Sequence, residues 1–246
     1  MNSTIFPFSN PQLPLQSEVG GKALSLISST LEGLPVPAGL ALGVGFFQPW
    51  TESIKSCDEW HSLVVTPSRA HCDVVKAIAQ QLRFTEVQRN QFDEAMKELD
   101  GVSVFAVRSS SPEEDLEGSS FAGLYETFLG TRRDHLESTV AKAYASMFDF
   151  RVMEYKTQNA LDLEGTCISI VIQQQLASDV SGVGFSLNPL NNCYDEAVIN
   201  ASFGLGEAIV SGMVTPDNYV VEKGSMQILE KSVNDKKIAL KLAIDG

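Results

Sequence analysis

Apolar positions recur at helical spacing through the first two thirds of the chain and collapse into short runs in the last third. After a polar, proline-interrupted lead-in over residues 1–18, Val19-Gly20-Gly21-Lys22-Ala23-Leu24-Ser25-Leu26-Ile27 sets Leu24, Ile27 and Leu31 on one helical face, with Gly33 as the stop. Leu34-Pro35-Val36-Pro37 leads into a short buried strand over residues 38–43, and residues 46–54 read as a helix. Val74, Val75, Ile78 and Leu82 mark a further helix over residues 71–82. Thr85-Glu86-Val87-Gln88 then resembles a capping box before a helix whose apolar face is Phe92, Ala95, Met96 and Leu99. Residues 102–107 have strand composition, and 125–129 alternate like a second strand. Residues 133–159 predict one long helix with Leu136, Val140, Tyr144, Met147, Phe148, Val152 and Tyr155 as its buried stripe.

From residue 166 the texture is that of strands. Runs over 167–172, 182–187 and 197–201 are followed by a hairpin, 218–221 with 226–229, about Lys223-Gly224. The pattern predicts an α+β fold in two subdomains, a helix-rich 1–162 and a strand-rich 163–246, with a ligand cleft between them.

Composition narrows the partners. The 246 residues carry 18 Lys and Arg against 31 Asp and Glu, a net charge of −13. So acidic a surface argues against nucleic acid and anionic membrane, and makes each well-placed cation more informative. Cys57, Cys72, Cys167 and Cys193 are scattered without a CxxC pair, as expected of free thiols in a reducing compartment rather than of zinc ligands or disulfides. The first ten residues lack a signal-peptide pattern, and no apolar run approaches the roughly 20 residues of a membrane span. The expectation is a cytoplasmic, soluble chain. His61, His71 and His135 sit in polar contexts and are expected at the surface.

Candidate chemistry gathers around the strand run that delivers Arg108 to Ser109-Ser110-Ser111-Pro112. A guanidinium at a strand end beside small residues suits a phosphate, because its planar fork donates two parallel hydrogen bonds. The alternative is an ordinary polar loop in which Arg108 pairs with Glu113, Glu114 or Asp115. Ser119-Ser120-Phe121-Ala122-Gly123 offers small side chains and amides that can meet phosphate oxygens. Gly20-Gly21 lets the backbone approach a ligand, with Lys22 in the first helical turn, although two glycines before a helix are common and this is no Walker A loop. Gly204-Leu205-Gly206-Glu207 reads equally as a phosphate turn and as a structural strand-to-helix turn.

Five stretches in order carry a family resemblance. They are Val19-Gly20-Gly21-Lys22, Gly33-Leu34-Pro35-Val36-Pro37, Ala106-Val107-Arg108-Ser109-Ser110, Ser120-Phe121-Ala122-Gly123 with Tyr125-Glu126-Thr127, and Ser202-Phe203-Gly204-Leu205-Gly206-Glu207 with Val210-Ser211-Gly212. Together they resemble the ATP-binding N-terminal domain of the dikinase family: phosphoenolpyruvate synthase, pyruvate phosphate dikinase and rifampin phosphotransferase. The resemblance covers about residues 17–240. It implies an ATP-grasp-like fold and a reaction in which ATP, with Mg2+, passes its β-phosphate to a histidine on a separate swivelling domain, releasing AMP and phosphate. An acceptor such as pyruvate or an antibiotic then takes the phosphoryl group. By the same resemblance Lys22 and Arg108 hold the polyphosphate and are the catalytic candidates. Gly123 adds a backbone contact, Thr127 a hydroxyl, and Gln173 lines the nucleotide pocket. Ser109 and Glu207 match family motifs without an assigned role.

The departures qualify this reading. The family's metal ligands and a further phosphate-binding arginine are expected beyond Gly246, so no residue here is assigned to a metal. No histidine has the phosphohistidine setting, and no acceptor-binding region is present. A chain cut from a larger enzyme, a subunit completed by a partner and a degenerate relative all fit. The strand-like run over 238–242 at the chain's end favours the first. Alternatives in function are an ATP-dependent ligase relative making a secondary metabolite, a catalytically incomplete nucleotide-binding or regulatory module, and an α+β domain without a nucleotide.

Overall fold

A computed structural model describes residues 4–113 and 125–243, and Gly123 lies outside them. The chain forms two compact units, Met1–Gln175 and Leu176–Gly246. The expected change of unit at 162/163 is displaced for a topological reason given below.

In the first unit, β1 (Ile5–Pro7), β2 (Gly39–Leu42), β3 (Val104–Ser110), β4 (Thr127–Arg132) and β5 (Ser169–Gln174) form one sheet in the order β1-β2-β5-β3-β4. All of its pairings are antiparallel. Strand β5 is hydrogen-bonded on both sides, to β2 and to β3. The run that opens the strand-rich part of the sequence therefore completes the first unit instead of starting the second.

Alternation along the strands gives the sheet two apolar faces. On one, Leu40, Leu42, Phe105, Val107, Ile170 and Ile172 are buried with Phe46, Phe47, Trp50, Tyr144 and Phe148 in the larger core. Helices α2 (Gln48–Lys55), α3 (Asp58–Val65), α4 (Arg69–Gln80), α5 (Glu86–Ala95), α6 (Leu136–Ala145) and α7 (Phe150–Gln158) contribute to that core or flank it. The Trp50 ring meets Tyr144 edge-on at 5.2 Å between centroids, a geometry favoured by the ring quadrupoles. On the other face, Ala41 and Val171 pack with Val19, Ala23 and Ile27 of α1 (Gln16–Leu31).

Three local expectations need revision. The buried edge of α1 runs through Val19, Ala23 and Ile27, whereas Leu31 is exposed, and Gly20 interrupts the helix with φ 73°. The long helix over 133–159 is two helices. Asp149 adopts an extended backbone between α6 with its following 3-10 turn and α7, and its carboxylate caps α7 by accepting from the Arg151 amide. The buried stripe survives the break as far as Val152 and Met153. Strand β3 continues through the serines to Ser110, because their hydroxyls find partners inside the fold. The capping box at Thr85 and Gln88 forms as read, each side chain accepting from the other residue's amide.

In the second unit, β6 (Val180–Phe185), β7 (Glu196–Phe203), β8 (Asp217–Glu222) and β9 (Ile228–Ser232) form an antiparallel sheet in chain order, with α8 (Glu207–Val210) after β7. The run over 238–242 is not a strand. It makes a single bridge, in which the Leu205 amide donates to the Leu240 carbonyl at 2.7 Å. Gly204 allows that approach at φ 78°, since a Cβ there would lie 2.0 Å from the Leu240 oxygen.

Candidate functional site

Side-chain alternation brings three sequence-derived candidates to one sheet face, and a fourth reaches it from α1. Arg108 pairs in register with Thr127 of β4 and with Val171 of β5, and Gln173 pairs with Ala106. Directly opposed residues share a face, so Arg108, Thr127, Val171 and Gln173 all lie on the side where Val171 meets α1. Lys22 reaches the same strand end from α1, its ammonium donating to the Ser109 carbonyl. Gln173 is buried, and its Nε2 donates to the Pro37 carbonyl at 3.1 Å. That links it to the Pro35-Val36-Pro37 turn before β2.

The start of α1 explains how a lysine comes to this position. At Gly20 the backbone leaves the helix, and a Cβ there would lie 2.6 Å from Ser110 Oγ. Only glycine lets α1 sit this close to the end of β3. The Val19 carbonyl, turned out of the helix, accepts from Ser110 Oγ at 2.7 Å and also from Ser169 Oγ. Ser110 Oγ in turn accepts from the Ala23 amide at 3.1 Å. The helix restarts at Gly21 with its positive end beside β3, one residue from Lys22. An ammonium, a guanidinium and a helix N-terminus on one sheet face suit a polyanion.

Behind this face, two lysines left unassigned by the sequence reading hold carboxylates on either side of residues 114–124. Lys156 of α7 has no exposed side-chain surface; its Nζ lies 3.0 and 2.9 Å from the two Glu113 oxygens and 2.5 Å from Thr166 Oγ1. Lys76 of α4 donates to Glu126 at 2.8 Å and to Asp149 at 3.1 Å. Burial works against the charge on Lys76, yet its bonds to Glu126 and Asp149 raise its pKa above the ordinary lysine value. Burial likewise opposes ionisation of Asp149, but the Arg151 amide and Lys76 outweigh it and hold the carboxyl below its usual range. A signal for Lys156 existed: it stands four residues after Val152 on the buried stripe, where an unpaired charge could not persist.

Two of the thiols are held in their protonated form by burial. Burial pushes Cys72 up to about 11, and burial with the Glu113 charge raises Cys167, which keeps both protonated at neutral pH. Among the described residues no group of three or more His, Cys, Asp or Glu side chains is arranged to hold a metal ion. Among the same residues no helix is long and apolar enough to cross a membrane.

The family described as pyruvate phosphate dikinase, AMP/ATP-binding domain matches residues 16–245. Over 229 residues the chain is 35% identical to the uncharacterized phosphotransferase YvkC of Bacillus subtilis, covering 92% of this chain and 26% of that protein. It is 31% identical over 268 residues to a probable phosphoenolpyruvate synthase of Pyrococcus horikoshii, covering 89% of this chain and 32% of that one. With the phosphoenolpyruvate synthase of Pyrococcus furiosus the identity is 30% over 266 residues, at the same two coverages of 89% and 32%. The chain thus spans no more than a third of the length of these curated relatives.

Proposed function

The chain belongs to the pyruvate phosphate dikinase AMP/ATP-binding domain family, and from that premise we propose that it binds ATP as the phosphoryl donor of a dikinase-type phosphotransferase. The observation that carries the reading is the convergence of Lys22, Arg108, Thr127 and Gln173 on the α1 face of the first sheet. In this reading the fold is ATP-grasp-like. Arg108 takes two phosphate oxygens with its planar fork, and Lys22 exchanges its bond with the Ser109 carbonyl for a phosphate oxygen. The Thr127 hydroxyl adds a neutral donor, Gln173 lines the base end, and Gly123 supplies an amide to the phosphates. Positioned charge of this kind is most of what phosphoryl transfer requires of a protein. The bridge between the α- and β-phosphorus breaks, and the β-phosphorus bonds to a histidine nitrogen on another domain. Water takes the γ-phosphoryl group, so that AMP and phosphate leave. The phosphohistidine then serves an acceptor such as pyruvate or an antibiotic.

Isothermal titration of the purified chain with ATP, with and without Mg2+ and with GTP as control, tests the reading. The expected result is ATP binding that Arg108→Ala and Lys22→Ala each abolish while the thermal midpoint stays within a few degrees. Arg108→Ala that kept affinity but lost stability would make Arg108 a structural ion-pair residue and overturn the assignment.

A further inference from the structure

Glu113 and Glu126 stand at the two edges of residues 114–124, and each is tied to the same helix. Lys156 on α7 binds Glu113 through both carboxylate oxygens. Asp149, which caps α7, shares Lys76 with Glu126. An ammonium has three N–H donors, and Lys156 places one toward each Glu113 oxygen and one toward Thr166 Oγ1. This buried cation is saturated by a single fixed arrangement.

Both contacts lead on to the candidate site. The Glu113 amide donates to Ser111 Oγ at 3.1 Å, next to Ser110 and its bond to α1. The Glu126 carbonyl accepts from Ser109 Oγ at 3.0 Å, and the Ser109 carbonyl accepts from Lys22. Thr127 follows Glu126 directly. A continuous chain of polar contacts therefore runs from Asp149 through Lys76, Glu126 and Ser109 to Lys22. Stability alone does not call for it, because a buried ion pair is often no better than apolar residues of similar volume. What ion pairs add is direction.

We propose that Lys76 and Lys156 are positioning residues for the nucleotide: braced by α7, they fix where the chain on each side of residues 114–124 stands relative to Lys22, Arg108 and Thr127. The proposal rests on the nucleotide reading above and extends it to two residues whose hydrogen bonds go to protein side chains.

The test compares wild type, Lys76→Met, Lys156→Arg and the paired apolar variant Lys156→Met with Glu113→Leu, which leaves no orphaned charge. ATP affinity is measured by titration, thermal midpoint by calorimetry, and amide exchange over residues 109–113 and 125–128 by mass spectrometry. The expected result is an affinity loss of about tenfold or more in Lys76→Met and in the paired variant. Exchange should rise in those two segments, with little change elsewhere. Lys156→Arg should retain affinity, since its fork also grips a carboxylate through both oxygens. Unchanged affinity in both apolar variants would overturn the proposal. So would uniformly faster exchange across the first unit, which marks a role in stability alone. If wild type bound no ATP, the functional reading would fail by itself, and unchanged exchange in the two segments would separately remove the brace.

Discussion

The hydroxyl of Ser110 donates to the carbonyl of Val19 at 2.7 Å, joining the last residue of β3 to the turn of α1 that precedes Gly20. Because the same oxygen accepts from the Ala23 amide, one side chain bridges both sides of the break in the helix. Ser110→Ala would strand the Ala23 amide and leave Val19 with Ser169 as its side-chain donor. A loss of about 1–3 kcal/mol is expected, with weaker ATP binding because Lys22 follows the same turn. Chemical denaturation and titration together check this; a variant as stable as wild type would show the bridge to be dispensable.

Gly20→Ala should be more severe. The new Cβ meets Ser110 Oγ at 2.6 Å and the Ser110 carbonyl at 2.7 Å, at φ 73°. Left-handed backbone costs about 1–2 kcal/mol by itself, and the clash adds to it. Gly184→Ala on β6 meets nothing within 4 Å and serves as the control. Urea midpoints should separate the two variants clearly, and equal midpoints would contradict the close approach of α1 to β3.

Gln88 offers the converse case, a residue important for folding and irrelevant to the site. Its Nε2 donates to the Phe46 carbonyl at 2.7 Å inside the core, and its Oε1 accepts from the Thr85 amide at 3.0 Å. Gln88→Ala is expected to cost about 1–3 kcal/mol through the unpaired groups it leaves. ATP affinity, measured below the lowered melting range, should match wild type.

Acid should weaken the first unit through two carboxylates. Burial opposes ionisation of Glu137, but hydrogen bonds from Arg89 and the Phe84 amide hold it below the ordinary range, as Lys76 and the Arg151 amide do for Asp149. A carboxyl whose folded pKa is depressed stabilises the fold fully above its unfolded value of about 4 and loses that contribution as pH falls through the folded value. Stability should therefore be flat from neutral pH down to about pH 5 and then decline. In Asp149→Asn with Glu137→Gln the decline should be shallower. An unaltered acid limb would assign it to other groups.

Much of this protein was determined by local pattern. The capping box at Thr85, the hairpin of β8 and β9, the strand before Pro112 and the stripe through Tyr144 follow from spacing and turn chemistry, because each arises within one or two turns of chain. The resemblance likewise selected Lys22, Arg108, Thr127 and Gln173, and all four lie in the first unit.

Tertiary contact decided the rest. Composition divides the chain near residue 162, but β5 finds its hydrogen-bond partners in β2 and β3, so the first unit extends to Gln175 and takes Gln173 with it. Only pairing between strands distant in sequence puts Arg108, Thr127 and Gln173 on one face, since strand register is not encoded in any one strand. Lys156 shows its burial in the stripe spacing, but the partners of Lys156 and Lys76, Glu113 and Glu126, are fixed only when folding brings them together. A charge's partner is a property of the assembled structure: water solvates the lysine in the open chain, and burial makes one carboxylate its necessary neighbour.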